Sequence, residues 1–240
     1  MLQCGTFTVQ FRERETLMAN QAYNSATTAR LPALAVNRVL RNTYALLAML
    51  FVAGAATAYI AQAQHWRIGF WPFLIGIFGF SFVLGRTRNS GWGLVTAFAF
   101  AAFLGVVTGA NVDVMLYRYG NGGELVAASF GLTAGLFFAL SAYAMTTKRD
   151  FSGWFAFLGV GTLAVIGAFI LNYFLALPAL ALALSTIVIM LSCGWIIWQT
   201  QIIVRNGETN YILAATGLLA DIFALFNNLM ALLGFGFGDD

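Results

Sequence analysis

One carboxylate lies in the middle of the last apolar run of the chain. Asp221 stands about halfway along the run Tyr211–Phe235, which is long enough to cross a bilayer because a spanning helix needs ~20 residues. A charge at that depth costs roughly 2.5–3.5 kcal/mol on insertion scales. We interpret Asp221 as the only acidic side chain placed deep inside a membrane segment, which makes it a candidate for binding a cation or exchanging a proton.

Amide side chains accompany Asp221 on the last two apolar runs. Asn228 follows seven residues later on the same face of the predicted helix, and Asn227 lies one position round. Gln199 and Gln201 lie near the end of the preceding run, and a short turn joins the two runs as a hairpin, so Gln199 can reach the depth of Asp221. Two interpretations stay open. The group is either a polar track for a cation, gated by protonation of the carboxylate, or a hydrogen-bonded pin between helices.

The composition identifies an integral membrane protein. Of the 240 residues, 60% are hydrophobic and 9% are charged, whereas a soluble domain carries about 25% charged residues. The net charge of +3 comes from basic residues between the apolar runs, where they act as topology signals, so we do not expect nucleic-acid binding. Cys4 and Cys193 lie in different contexts and predict neither a disulfide framework nor a metal cluster.

Seven apolar runs predict an all-α polytopic membrane protein with seven transmembrane helices. Residues 1–42 form an N-terminal tail, residues 43–235 the transmembrane domain and residues 236–240 a short C-terminal tail. Most links are short, so successive helices are expected to be antiparallel neighbours in one bundle. The runs are Thr43–Ala63, Phe70–Gly85, Trp92–Met115, Leu125–Met145, Trp154–Leu175, Ala179–Val204 and Tyr211–Phe235.

The distribution of basic residues orients the bundle. Ten of the twelve Lys and Arg residues lie in the N-terminal tail and in the links after runs two, four and six, while the other side carries only Arg67 and Arg118. The positive-inside rule therefore predicts a cytoplasmic N-terminus and an outer C-terminus at Asp239-Asp240. Met18 offers an alternative start of translation. The sequence does not indicate an oligomeric state.

Two pairs of glycines have the spacing that lets membrane helices approach closely. Gly105 and Gly109 form one GxxxG pair, and Gly131 and Gly135 form the other. We interpret both as packing within the bundle and not as a dedicated dimer interface.

The chain lacks the residue patterns of catalysis. It has one histidine, no HExxH motif, no Walker loop and no second deep acid with which Asp221 could form an aspartyl dyad. We therefore expect no enzymatic activity and no cofactor. His65 is interpreted as an interface residue. The charges at the predicted inner face are interpreted as topology anchors, one of which could pair with a carboxylate at the inner mouth of the bundle: Arg86, Arg88, Lys148, Arg149 and Asp150.

Four motifs in order resemble the Bax inhibitor-1 family over about residues 38–235. They are Leu40–Tyr44 (LRNTY), Thr147–Phe151 (TKRDF), Gln199–Ile203 (QTQII) and Asp221–Phe226 (DIFALF). Two further stretches, Gly207–Ile212 (GETNYI) and Leu232–Phe235 (LLGF), are similar in particular to the YccA-like bacterial branch of that family.

The resemblance implies a seven-helix fold with a central last helix in a bacterial inner membrane. In calcium-leak members, two aspartates on helices six and seven share a proton and sense pH. Members of the YccA-like branch are instead associated with the membrane AAA protease FtsH, as substrates and modulators engaged through the N-terminal tail. The first expectation is therefore an FtsH-type protease modulator, and the alternative is a pH-influenced calcium leak through Asp221, Gln199 and Asn228.

This chain departs from the calcium-leak pattern at helix six. Gln199 stands where the resemblance implies an aspartate, and only Asp221 carries over. Because a glutamine cannot exchange a proton, a coupled titration of two carboxylates is impossible here. Gln199 can still donate a hydrogen bond to Asp221.

Overall fold

The computed structural model describes residues 40–206 and 210–238, except for the side chains of residues 205 and 206. This part of the chain forms seven helices without a strand, and each helix is long and apolar enough to span a membrane. The prediction of an all-α, seven-span membrane protein is confirmed. The helices are α1 Leu40–Ala63, α2 Phe70–Thr87, α3 Trp92–Arg118, α4 Gly122–Thr146, α5 Trp154–Leu175, α6 Pro178–Gln201 and α7 Tyr211–Phe237.

The helices extend beyond the apolar runs from which they were predicted. The described part of α1 already includes Leu40, α3 continues to Arg118 and α7 continues to Phe237. A helix of 27 residues is ~40 Å long, which exceeds the ~30 Å hydrocarbon core. Hydropathy marks only the part in hydrocarbon, so it misses the turns in the headgroup region. The N-terminal tail before residue 40, the stretch 207–209 and the C-terminal Asp239-Asp240 lie outside the described residues.

The last helix is the centre of the bundle. α7 packs against α3, α4 and α6, and Ala215, Leu218, Leu219 and Leu225 on it are completely buried. α2 and α5 lie at the periphery, where most of their side chains face outward. The implied central position of the last helix is confirmed.

The two glycine pairs have different surroundings. Gly105 and Gly109 of α3 lie against α1, where a Cβ atom would overlap the backbone carbonyl oxygens of Gly54 and Ala58. At Gly131 and Gly135 of α4 a Cβ would meet no atom within 4 Å. Packing within the bundle is confirmed for the first pair and wrong for the second. The reason is that α4 buries another face, which carries Leu125, Ser129, Thr133, Phe137 and Ser141.

A glutamine at the end of α6 holds the link between α4 and α5. Gln201 Nε2 donates to the carbonyl oxygen of Arg149 over 2.7 Å, and Gln201 Oε1 accepts from the backbone N–H of Phe151 over 2.6 Å. A π-helical turn, Ile202–Asn206, follows directly. The amide therefore satisfies backbone groups of the link, which agrees with a structural interpretation of Gln201.

Candidate functional site

The candidate site lies between α6 and α7, the two helices that pack most extensively. Asp221 is half-buried on α7, ten residues after Tyr211 and hence ~15 Å along the helix. Gln199 Nε2 of α6 donates a hydrogen bond to Asp221 Oδ2. The structure thus brings together the two residues that the sequence placed at a similar depth.

A glycine on α7 makes room for this contact. Gly217 precedes Asp221 by four residues, so the two lie on one face of the helix. A Cβ atom at Gly217 would overlap Gln199 Oε1. The absent side chain therefore lets the amide of Gln199 lie directly on the α7 backbone, from which it reaches Asp221.

The pair is chemically a single carboxylate with a neutral donor. A glutamine side chain can donate to a carboxylate but cannot take up or release its proton. Within residues 40–206 and 210–238, no group of three His, Cys, Asp or Glu residues could hold a metal ion. In that part of the chain Asp221 is therefore not one of three such ligands around a common metal site.

The asparagines further along α7 bond to helix groups. Asn228 Nδ2 donates to the carbonyl oxygen of Ala224 over 2.7 Å within its own helix, and its role in an ion path stays a prediction. Asn227 Nδ2 donates to Thr108 Oγ1 over 2.8 Å, and Asn227 Oδ1 accepts from Asn111 Nδ2 over 2.9 Å. Interhelical hydrogen bonding, expected for these amides, is confirmed for Asn227 because it connects α7 to α3.

The charges at the predicted inner face make other contacts. Arg86 lies over the ring of Phe82, with 5.2 Å from Cζ to the ring centroid. Arg88 contributes its carbonyl oxygen to Asn210 Nδ2, and Arg149 contributes its own to Gln201. Asp150 accepts from the backbone N–H of Ser152 over 2.9 Å, and Lys148 is exposed. Pairing of any of these five with a carboxylate at the inner mouth stays a prediction.

A second buried acid lies at the opposite end of the bundle. Asp113 of α3 is only 3% exposed. His65 Nδ1 forms a hydrogen bond of 2.7 Å with Asp113 Oδ1. Arg67 Nη2 lies 3.1 Å from Asp113 Oδ2, which is within ion-pair distance but without the alignment of a hydrogen bond. The interpretation of Asp221 as the only acid deep inside a membrane segment did not consider Asp113, which lies five residues before the end of α3 at Arg118.

The backbone turn after α1 brings the side chains of His65 and Arg67 close to Asp113. His65 has a φ of 53°, and the N–H groups of His65 and Trp66 donate to the carbonyl oxygens of Gln62 and Ala61. This pattern is a Schellman motif, whose left-handed position usually holds glycine. The motif reverses the chain so that the link after α1 folds onto α3.

The sequence contained a signal for this cluster that the hydropathy pattern did not use. Asp113 lies two residues before the predicted end of run three, on the membrane face where run one is followed by His65 and Arg67. An acid inside a span costs less when a cation of the same face can reach it. The missing information was the turn that brings residues separated by more than forty positions together.

Removing the side chains of His65 and Arg67 should lower the free energy of unfolding more than removing the carboxylate of Asp113. The double variant His65→Asn with Arg67→Gln leaves a buried carboxylate without a cation, and we expect it to lower the free energy of unfolding by ~3 kcal/mol. Asparagine tolerates the left-handed backbone at His65. Asp113→Asn leaves the exposed side chains of His65 and Arg67 in water and should lower the free energy of unfolding by only ~1 kcal/mol.

Equilibrium unfolding of the purified variants in detergent micelles measures both losses. Adding Asp113→Asn to the double variant provides the control, because it removes the stranded charge and should restore most of the lost stability. Equal losses of stability in Asp113→Asn and in the double variant would contradict the ion-pair interpretation.

These features define the class of protein: a polytopic α-helical membrane protein with a carboxylate–amide pair beside its central last helix. The family model described as inhibitor of apoptosis-promoting Bax1 matches residues 36–238. The chain therefore belongs to the Bax inhibitor-1 family, as its four motifs indicated.

Bacterial relatives are similar along almost their whole length. A protein of Escherichia coli strain K12 named modulator of FtsH protease YccA is 36% identical over 216 residues, which cover 90% of this chain and 98% of that protein. An uncharacterized protein of Pseudomonas aeruginosa is 37% identical over 206 residues, 85% of this chain and 92% of that protein. An uncharacterized membrane protein of Vibrio cholerae is 36% identical over 209 residues, 84% of this chain and 91% of that protein.

Proposed function

We propose that this chain is a bacterial inner-membrane protein that modulates an FtsH-type membrane protease. The observation that carries the proposal is the similarity to the FtsH modulator of Escherichia coli, which covers 98% of that protein. A relative from another Escherichia coli strain is named inner membrane protein, which supports the location. The replacement of one acid by Gln199 also favours this function over a leak that depends on two carboxylates.

The N-terminal tail is the part of the chain that we propose to engage the protease. The positive-inside rule predicts that this tail is cytoplasmic, on the side where an FtsH-type protease would reach it. The first described residue of α1 is Leu40. Residues 1–37 can therefore be removed without deleting any residue of a described helix.

Co-purification with an FtsH-type protease tests the proposal. We expect the full-length chain to retain the protease after detergent extraction, and the chain without residues 1–37 to lose most of it. The Escherichia coli relative serves as a positive control, and the melting temperature of the truncated chain shows whether the bundle is intact. Failure of both forms to retain the protease, under conditions where the relative retains it, would overturn the proposal.

A second proposal is a cation leak with Asp221 in its path. Its support is the position of a half-buried carboxylate ~15 Å along a membrane-spanning helix, where the described hydrogen-bond donor to the carboxylate is the neutral amide of Gln199. Calcium is the candidate cation because it prefers oxygen ligands that include carboxylates. Calcium flux through the purified protein in liposomes distinguishes this proposal from the first.

A further inference from the structure

A groove of about 330 Å³ lies between α2 and α3 on the outside of the bundle. Ile75, Gly79 and Val83 of α2 line one wall, and Val95, Thr96 and Ala99 of α3 line the other. Apart from the hydroxyl group of Thr96 these side chains are apolar. A Cβ atom at Gly79 would meet no atom within 4 Å, so the glycine leaves the middle of the groove open.

The groove opens toward the membrane face that the basic residues predict to be cytoplasmic. Val83 lies four residues before Thr87 at the end of α2, and Val95 lies three residues after Trp92 at the start of α3. These positions are ~6 Å and ~4.5 Å from their helix ends. The part of the groove from Gly79 to Val83 therefore lies in one leaflet, with its mouth at the level of the headgroups.

The basic side chain of Arg86 lies beyond this mouth, toward the end of α2. Arg86 follows Gly79 by seven residues and Val83 by three, so it lies on the same face of α2. Its guanidinium group lies over the ring of Phe82, one turn closer to the membrane centre. The Arg86 side chain is exposed, so its guanidinium group can reach a phosphate group at the mouth.

The link between α2 and α3, which borders the mouth, is basic. The link from Arg86 to Trp92 contains a second arginine, Arg88, and no aspartate or glutamate. Thr87 Oγ1 lies 3.3 Å from Thr96 Oγ1, which adds hydroxyl groups at headgroup depth. The exposed indole of Trp92, 71% accessible, is typical of a side chain at the membrane interface.

We propose that the groove between α2 and α3 binds an anionic phospholipid of the cytoplasmic leaflet. One acyl chain lies along Gly79 and Val83, and the phosphate group contacts Arg86. Basic pockets between membrane helices at this face have the chemistry that anionic headgroups recognise. The combination of an apolar groove with a basic mouth favours this occupant over a helix of a second copy, which would place its own side chains against Arg86.

Native mass spectrometry of the purified full-length chain in detergent tests the proposal, with phosphatidylglycerol and phosphatidylethanolamine as the two probes. We expect one phosphatidylglycerol to bind in preference to phosphatidylethanolamine. Arg86→Gln should weaken the anionic lipid ~fivefold and the zwitterionic lipid less, because the ammonium group of the zwitterionic lipid offsets the charge of its phosphate. Gly79→Phe should weaken both lipids, because the ring fills the groove.

Matched controls come from other open positions of the bundle. Gly135→Phe on α4 also enters open space, and Arg118→Gln removes a basic residue from the opposite end. Neither control should change lipid binding, and melting temperatures confirm that each variant is folded. Equal binding of the two lipids to the wild-type chain would overturn the proposal. Full lipid binding by Gly79→Phe would also overturn it. So would a wild-type dimer that Gly79→Phe dissociates without changing lipid binding.

Discussion

Gly109→Ala should lower the free energy of unfolding by about 3 kcal/mol, the upper end of the usual cost of overpacking. A Cβ atom at Gly109 would overlap the backbone carbonyl oxygen of Ala58 on α1. A backbone atom cannot rotate away as a flexible side chain can, so α1 must move as a unit. Its movement would also weaken the hydrogen bond from Thr57 Oγ1 to the carbonyl oxygen of Ala102 on α3, which spans 3.0 Å.

The matched control is Gly135→Ala, a glycine in a pair of the same spacing. A Cβ there meets no atom within 4 Å, so stability should stay within ~1 kcal/mol of the wild-type value, since alanine has the higher helix propensity. Unfolding in detergent micelles with increasing denaturant measures both variants. Equal losses at the two glycines would show that α3 does not depend on close approach to α1.

The contrast between these glycines shows what hydropathy can predict in a membrane protein. Each span could be predicted because a bilayer requires a long apolar run, whatever faces the helix. The buried face could not be predicted, because lipid and bundle interior are both apolar and the usual contrast between two faces is weak. The identical GxxxG spacings therefore could not tell Gly109, against α1, from Gly135, on the open side of α4.

The two acidic sites differ in the same way. The contact between Gln199 and Asp221 could be predicted because a short link makes α6 and α7 a hairpin, which fixes their relative depth. The contact of Asp113 with His65 and Arg67 depends on a left-handed turn after α1, which a hydropathy pattern does not contain. Asn228 shares a face with Asp221, but face position alone did not predict its bond to Ala224 on the same helix.

The peripheral and central helices serve different proposed interactions. α7 carries Asp221 at the centre of the bundle, whereas α2 is in contact mainly with α3 and offers the groove at Gly79. A lipid at α2 would stabilise an edge that has few protein contacts without touching the carboxylate–amide pair. Variants at Gly79 and at Gly217 therefore separate effects of lipid from effects on Asp221.

If the chain conducts calcium, Asp221→Asn should reduce the calcium flux into proteoliposomes ~tenfold or more. A tenfold change requires the lost attraction between the carboxylate and the cation to be only ~1.4 kcal/mol. Asparagine keeps the size of the side chain and its ability to accept from Gln199, but it lacks the charge that attracts the cation. Flux of calcium into liposomes containing an indicator dye measures the effect. Unchanged flux in Asp221→Asn would exclude a leak that depends on this carboxylate.

Gly217→Ala then tests whether the amide positions the carboxylate. The new Cβ would displace Gln199 Oε1, and because that atom ends a flexible side chain, the helices need not move. We expect the calcium flux to change while Asp221 and the fold are retained, whereas the control Gly131→Ala, which enters open space, should match the wild-type chain. Equal flux in Gly217→Ala and the wild type would show that Gln199 does not position Asp221. Absence of flux from all four proteins, with intact binding of an FtsH-type protease, would favour the modulator function and leave the pair as a structural contact between α6 and α7.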